Sequence, residues 1–248
     1  MTDPEIPYWL SRTSLLLGNE KTNNLINKHV LVAGLGGVGG ICAEMIARAG
    51  IGQMTIVDAD TVDISNCNRQ IPALHSTAGL MKTDVMAQRL KDINPQIKLN
   101  IVPQFLKEQT TAALLDGAVF DYAVDCIDTL SPKVFYIKGC VDRHIPIVSS
   151  LGAGGKLNPE MVRITDISKT YQCNLAKYVR KYLHKLNIYS GVKCVFSPEP
   201  ADQEKIIETE KAFPKKSIIG TISYMPAMFG LMCASVVIRD LSEINTKN

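Results

Sequence analysis

No C-x-x-C pair occurs anywhere in the chain, and its seven cysteines (Cys42, Cys67, Cys126, Cys140, Cys173, Cys194 and Cys233) are scattered. That spacing excludes a disulfide framework and a multi-cysteine zinc site, so no zinc is expected and each cysteine reads as a small buried hydrophobe. The opening residues lack a basic segment followed by an apolar one, from which a cytoplasmic, reducing location is expected. Acid is missing from one long stretch. Between Ile167 and Pro198 there is no Asp or Glu, while Lys169, Lys177, Arg180, Lys181, Lys185 and Lys193 all fall inside it. An acidic segment with Glu199, Asp202, Glu204, Glu208 and Glu210 follows at once. Internal repeats are absent as well.

What is present suits one globular unit. The chain has 248 residues, of which 46% are hydrophobic and 21% charged, enough for one sizeable core and too apolar for disorder. A single domain over 1–248 is expected, with a nucleotide-binding half at 1–155 and a substrate-binding half with a C-terminal extension at 156–248. The formal net charge of +3 is too small to dictate a partner. The longest uncharged run, Ser217 to Ile238, is long enough to span a bilayer. Gly220, Pro226 and Gly230 interrupt it, and its β-branched first part suits a strand entering a buried helix. It is expected in the core, with membrane association unlikely.

Strands are predicted at 29–33, "QMTIVDAD" (53–60), "IKLNIV" (97–102), "FDYAVDCID" (120–128) and "IPIVSS" (145–150). Helices are predicted at 38–49 with Gly50 as the cap, from about 80 to 93, and near 108–115 and 132–143. This alternation implies a Rossmann-like α/β fold, a doubly wound and mostly parallel sheet. After Gly152 the pattern changes. "MVRITDIS" reads as an antiparallel extension, "CNLAKYVRKYLHKL" as an amphipathic helix with its tyrosines on the apolar side, 198–216 as a flexible loop, and the end as a helical apolar segment.

"HVLVAGLGGVGG" carries the first functional signal. Gly34, Gly36 and Gly39 form G-x-G-x-x-G after a strand and at the start of a helix, with Gly37 in the same loop, where backbone N–H groups and the helix dipole meet phosphate. Asp58 ends the next strand, where a ribose contact is expected. A dehydrogenase would fit equally well up to this point. Asn66, Asn68, Arg69 and Gln70 then follow the second strand and Lys82 starts the next helix. That much positive charge suits a triphosphate better than a dinucleotide. "DCIDT" at a strand end offers Asp125 and Asp128 as hard oxygen ligands for magnesium.

"GLGGVGG", "VDADTVDISNCNRQ", "GLMKTDVMAQRLKDINP" and "DCIDTLSPK" closely resemble the adenylating family that includes the thiamine and molybdopterin sulfur-carrier adenylyltransferases and the ubiquitin-activating enzymes. The resemblance implies ATP-dependent adenylation of a carboxylate. Gly34, Gly36, Gly37, Gly39 and Asp60 would lie at the nucleotide, Asp58 on ribose, Asn66, Arg69 and Lys82 on phosphates, and Asp128 on Mg2+. It also implies a homodimer in which Arg12, from "LSRTSLLLG", enters the partner's site. Arg12, Arg69, Lys82 and Asp128 are thus the expected catalytic set, and a sulfur-relay (cysteine desulfurase system) protein is a further partner.

The second half narrows the substrate. "SLGAGGKLNP", "ITDISKTYQCNLAKYVRKYL" and "GVKCVFSPEP" resemble the tRNA threonylcarbamoyladenosine dehydratases, which use ATP to activate the threonyl carboxylate of a modified adenosine beside the anticodon and close it into a ring. Ser217 stands where some members carry a cysteine, so a thiol is not required there. Cys194 reads as packed. The acid-free segment is an independent reason to expect tRNA, with Lys177, Arg180, Lys181 and Lys185 on phosphates. Two other readings stay open: an adenylyltransferase for a ubiquitin-like sulfur carrier, and a non-catalytic nucleotide-binding adaptor.

Overall fold

The computed structural model describes residues 6–200, 206–208 and 217–243. Two short helices, α1 (Ser11–Leu17) and α2 (Asn19–Ile26), lead into the first strand β1 (His29–Ala33). The strands β2 (Gln53–Val57), β3 (Lys98–Val102), β4 (Tyr122–Asp125), β5 (Ile147–Ser150), β6 (Arg163–Asp166) and β7 (Lys193–Phe196) complete a seven-stranded sheet in the order β3-β2-β1-β4-β5-β7-β6. Every pairing is parallel except β6 with β7.

The central strands are apolar on both sides because helices cover both faces. In β1, Val30 and Val32 join one core while Leu31 and Ala33 join the other. On the first face lie α3 (Gly39–Arg48), α4 (Lys82–Ile93) and the C-terminal helix α8 (Tyr224–Leu241); on the second lie α5 (Glu108–Asp116), α6 (Leu130–Asp142) and α7 (Asn174–His184). The doubly wound sheet with an antiparallel extension and an apolar C-terminal helix is therefore as expected. By length and composition α8 could cross a membrane. Its residues Met225, Phe229, Cys233, Val236 and Val237 are instead buried in the first core. Gly230 permits this, since a Cβ there would lie 2.4 Å from the carbonyl oxygen of Val38.

Three expectations change. Asp58 to Asp60 are loop and not strand, which leaves Asp58 to turn back on the glycine loop. β7 had no separate place in the sequence reading, yet it lies between β5 and β6 and joins the extension to the parallel sheet. Within 198–216, the stretch β8 (Ile206–Glu208) is not loop but pairs antiparallel with β9 (Ser217–Ile219); 201–205 and 209–216 lie outside the described residues. Cys42, Cys140, Cys173, Cys194 and Cys233 are buried, while Cys67 and Cys126 are partly exposed.

Candidate active site

Parallel strands bring their C-terminal ends to one edge, and the loops after β1, β2, β4 and β5 meet there. The glycine loop leaves β1 under tight steric limits. Gly34 has φ +89°, and a Cβ on it would lie 2.8 Å from the carbonyl oxygen of Cys126; a Cβ on Gly39 would lie 1.7 Å from the carbonyl oxygen of Gly34. Only glycine fits either place. Behind the loop stands α8, where Pro226 would be 2.9 Å from a Cβ on Gly37. The first turn of α8 accepts proline because its N–H groups have no partner within the helix.

Asp58 secures the loop from the next strand. Its Oδ2 accepts from Leu35 N–H at 2.6 Å and its Oδ1 from Asp60 N–H at 2.8 Å. Burial pushes its carboxyl up, while the charge of Lys82 and these two N–H groups pull it down. A carboxylate has about four acceptor positions, so with two N–H groups bound it can still accept from further donors.

Lys82 is placed by backbone pairing: its N–H donates to Asp60 O at 3.0 Å, just after the bridge between Thr61 and Met81. Its Nζ lies 2.9 Å from Asp60 Oδ2, with the lysine side chain 6% exposed and the aspartate 70%. Lys82 is thus held by a solvent-facing carboxylate that a phosphate can displace. Asn66 closes a 3-10 turn (Ile64–Asn66) and accepts from Asp63 N–H at 3.3 Å. The guanidinium of Arg69 donates to Ser65 O at 2.9 Å and to Asn68 Oδ1 at 2.7 Å, which aims it from the same loop. Asn68 in turn donates to Thr221 O at 3.0 Å, and Gly155 N–H to Gly220 O at 2.8 Å. Residues 220–221 therefore tie the loop after β2 to the loop after β5.

Asp125 and Asp128 part company. Asp125 is fully buried: Lys133 Nζ and Ser149 Oγ both donate to its Oδ2 at 2.6 Å, and Ile127 N–H donates to Oδ1 at 3.1 Å. Burial pushes this carboxyl up against the pull of Lys133. It anchors the β4 loop and is no open metal ligand, contrary to the expectation for the pair. Asp128, three residues on, is exposed at the mouth of the site. Lys133, one helical turn into α6, was legible only as the end of "DCIDTLSPK"; its pairing with Asp125 needs β5 alongside to supply Ser149 and the Ser150 carbonyl.

Gln70 follows the second strand in the sequence pattern without a role of its own. Its Oε1 is buried without a hydrogen-bond partner, and its amide faces the open side of Gly36, 3.7 Å from where a Cβ would sit. An unpartnered acceptor beside the loop is one a ligand would satisfy.

The remaining site residues lie away from the glycine loop. Arg12 is exposed on α1. Lys177 and Lys181 on α7 and Lys185 at its C-cap are exposed, whereas Arg180 donates to the carbonyl and hydroxyl of Thr170. Cys194 is packed as expected, with burial pushing its thiol far up.

Residues 10–248 match the ThiF family. The chain belongs to that family. Among its ThiF relatives, the tRNA threonylcarbamoyladenosine dehydratase of Bacillus subtilis is 39% identical over 94% of each chain. The solved structure of the Escherichia coli tRNA N6-threonylcarbamoyladenosine dehydratase in complex with ATP superposes with a TM-score of 0.84, at 33% identity over 94% of this chain and 93% of that one; an AMP complex of the same enzyme gives 0.83. The molybdopterin-synthase adenylyltransferase of Escherichia coli is 33% identical but matches only 60% of this chain and 59% of its own.

Proposed function

We propose that this ThiF-family chain is an ATP-dependent dehydratase that cyclises threonylcarbamoyladenosine in tRNA. The observation that carries the reading is similarity over nearly the whole chain to such dehydratases, supported by the cations Arg69 and Lys82, with Asn66, on the loops beside the glycine loop. Those cations suit a triphosphate better than a dinucleotide, and the relatives similar over nearly the whole chain are dehydratases and not adaptors. The carrier-adenylyltransferase relative matches too little of the chain to account for its second half.

The chemistry follows from charge. A threonyl carboxylate oxygen attacks the α-phosphorus and pyrophosphate leaves, giving an acyl adenylate. A nucleophile of the neighbouring carbamoyl group then attacks the acyl carbon, loses its proton, and expels AMP as the ring closes. Lys82, released from Asp60, and Arg69 offset the phosphate charge; Asp58 holds ribose. A magnesium ion bound mainly by phosphate oxygens needs only one or two protein carboxylates, and the exposed Asp128 fits that need. Once bound, it would supply positive charge to the departing pyrophosphate.

Incubation of substrate tRNA with the protein, ATP and magnesium is expected to yield AMP and pyrophosphate. After mild digestion, mass analysis should find the threonylcarbamoyladenosine nucleoside lighter by one water. Release of ADP, or unchanged nucleoside with adenylation of a carrier-protein C-terminus, would overturn the reading.

We further propose that the site takes a residue from a second copy of the chain. Leu10 packs against Gly50, between α3 and β2 and so at the N-terminal ends of the strands. The glycine loop lies across β1, a strand about 16 Å long at ~3.3 Å per residue. Arg12, two residues beyond Leu10, is exposed, and beside it Tyr8, Leu15 and Leu16 are more than 80% exposed. A homodimer covers these side chains and delivers Arg12 to the partner. Mixing Arg12→Ala subunits with Asp128→Asn subunits, each inactive alone, is expected to restore part of the activity. No rescue despite proven subunit exchange would place Arg12 outside the partner's site.

A further inference from the structure

α7 meets the site end-on. The Cβ of Leu175 lies 3.7 Å from where a Cβ on Gly152 would sit, and Gly152 follows β5 at the same edge as the glycine loop. From that contact the helix turns Ala176, Val179 and Leu183 into the second core and leaves another face open. On the open face Lys177, Lys181 and Lys185 recur every fourth residue, about 6 Å apart along the axis at ~1.5 Å per residue. In the next column, at the same pitch, stand Tyr178 and Tyr182, 49% and 42% exposed. The sequence pattern had placed these rings on the apolar side, and the structure moves them to its border with the lysines.

Single exposed aromatics need no explanation. Two on one helical face beside a column of cations form a pattern. Lys185 Nζ lies 5.2 Å from the centre of the Tyr182 ring, so the two columns are in contact. Among the described residues none of the three lysines is ion-paired, and the acid-free segment supplies no carboxylate to compete with a phosphate. Arg180 lies outside this face, occupied with Thr170.

We infer that Tyr178 and Tyr182 are a stacking platform for two unpaired bases of the substrate RNA, while Lys177, Lys181 and Lys185 hold phosphates of the same strand. The inference rests on the tRNA reading above and sharpens it: the helix takes a single-stranded loop and not a duplex. Paired bases are stacked on each other and offer no free face, whereas unpaired loop bases splay onto aromatic rings. A strand tracking the lysine column lays its bases over the neighbouring tyrosine column and runs toward Gly152, which directs a loop nucleotide to the reacting centre.

The test compares a hairpin carrying an unpaired loop with a fully paired duplex of equal length. Their binding to wild type, to the Tyr178→Leu/Tyr182→Leu variant and to the Tyr178→Phe/Tyr182→Phe variant is measured across a salt series. The leucine variant is expected to bind the hairpin about a hundredfold more weakly, from two lost stacks. Its salt slope should be unchanged, and its ATP binding and melting temperature those of wild type. The phenylalanine variant keeps wild-type affinity, since the ring and not the hydroxyl does the stacking. Changing the three lysines to alanine instead flattens the slope by roughly 0.7 per lost contact. With wild type alone, a fluorescent base analogue in the loop is quenched on binding. If the leucine variant holds the hairpin as tightly as wild type, or no loop position is quenched, the platform is overturned while the tRNA reading stands. If wild type binds neither RNA, the tRNA reading falls first.

Discussion

Asp128→Asn is expected to lower AMP formation about a thousandfold, the rate equivalent of the several kcal/mol that a metal ion contributes at a phosphoryl centre. The fold should be retained, because the side chain is exposed at the mouth of the site and not packed in either core. The measurement is pyrophosphate release against magnesium concentration. An asparagine oxygen is a weaker ligand than a carboxylate, so the variant's magnesium dependence should shift to higher concentration. A purely structural aspartate would leave that dependence in place, and an unshifted curve with normal activity would remove Asp128 from the site.

The opposite expectation holds for Lys133→Met, in the first turn of α6 and fully buried. Removing one partner of a buried ion pair strands the other, at a cost of about 3–5 kcal/mol. Urea unfolding at neutral pH should show that loss. The pH dependence carries the signature. With Lys133 gone, only the hydrogen bonds from Ser149 and Ile127 N–H still oppose the burial that pushes the Asp125 carboxyl up. A carboxylate whose folded pKa is raised makes the native state bind the extra proton, so stability falls as pH rises from the ordinary carboxylate value to the raised one. The deficit of Lys133→Met should therefore shrink on acidification. Pairing it with Asp125→Leu should recover most of the loss, since a matched apolar pair is commonly neutral or better. A loss below 1 kcal/mol in the single variant, with no pH dependence, would mean that the pair does not anchor the loop after β4.

Much of the site could be read along the chain. The glycine loop, Asp58 and Lys82 each sit just after a strand or at a helix start, with Arg69 in the loop between, and those positions follow from apolar periodicity and from glycine spacing within a dozen residues. Which partner each side chain finds could not be read in the same way. Asp125 and Asp128 look alike in "DCIDT", with the same chemistry and the same strand end. Only the approach of α6 and β5 separates a buried anchor from an exposed carboxylate. The tyrosines of α7 show the same limit. Helical phase places them at the edge of the apolar stripe, and the width of the surface that α6 and the sheet cover decides that they stay half in solvent. Arg180 is likewise a cation on a basic helix until Thr170 folds beneath it.

The sequence by itself determined the strand-turn-helix at Gly34–Gly39, the alternation that makes a parallel doubly wound sheet, and the packing of the apolar C-terminal helix against the core, though Ile219, Ile222, Tyr224 and Leu231 of the same run stay exposed. Each depends on residues close in the chain and on a period of two or 3.6 that neighbours cannot disguise. Tertiary structure alone decided that β7 enters between β5 and β6, that residues 220–221 reach back to Asn68 and Gly155, and that Lys82 waits on Asp60. It also decided that Leu10 packs against Gly50, between α3 and β2. These contacts join segments from about twenty to more than 150 residues apart, and their geometry is set by which surfaces pack together, a quantity that no local pattern encodes.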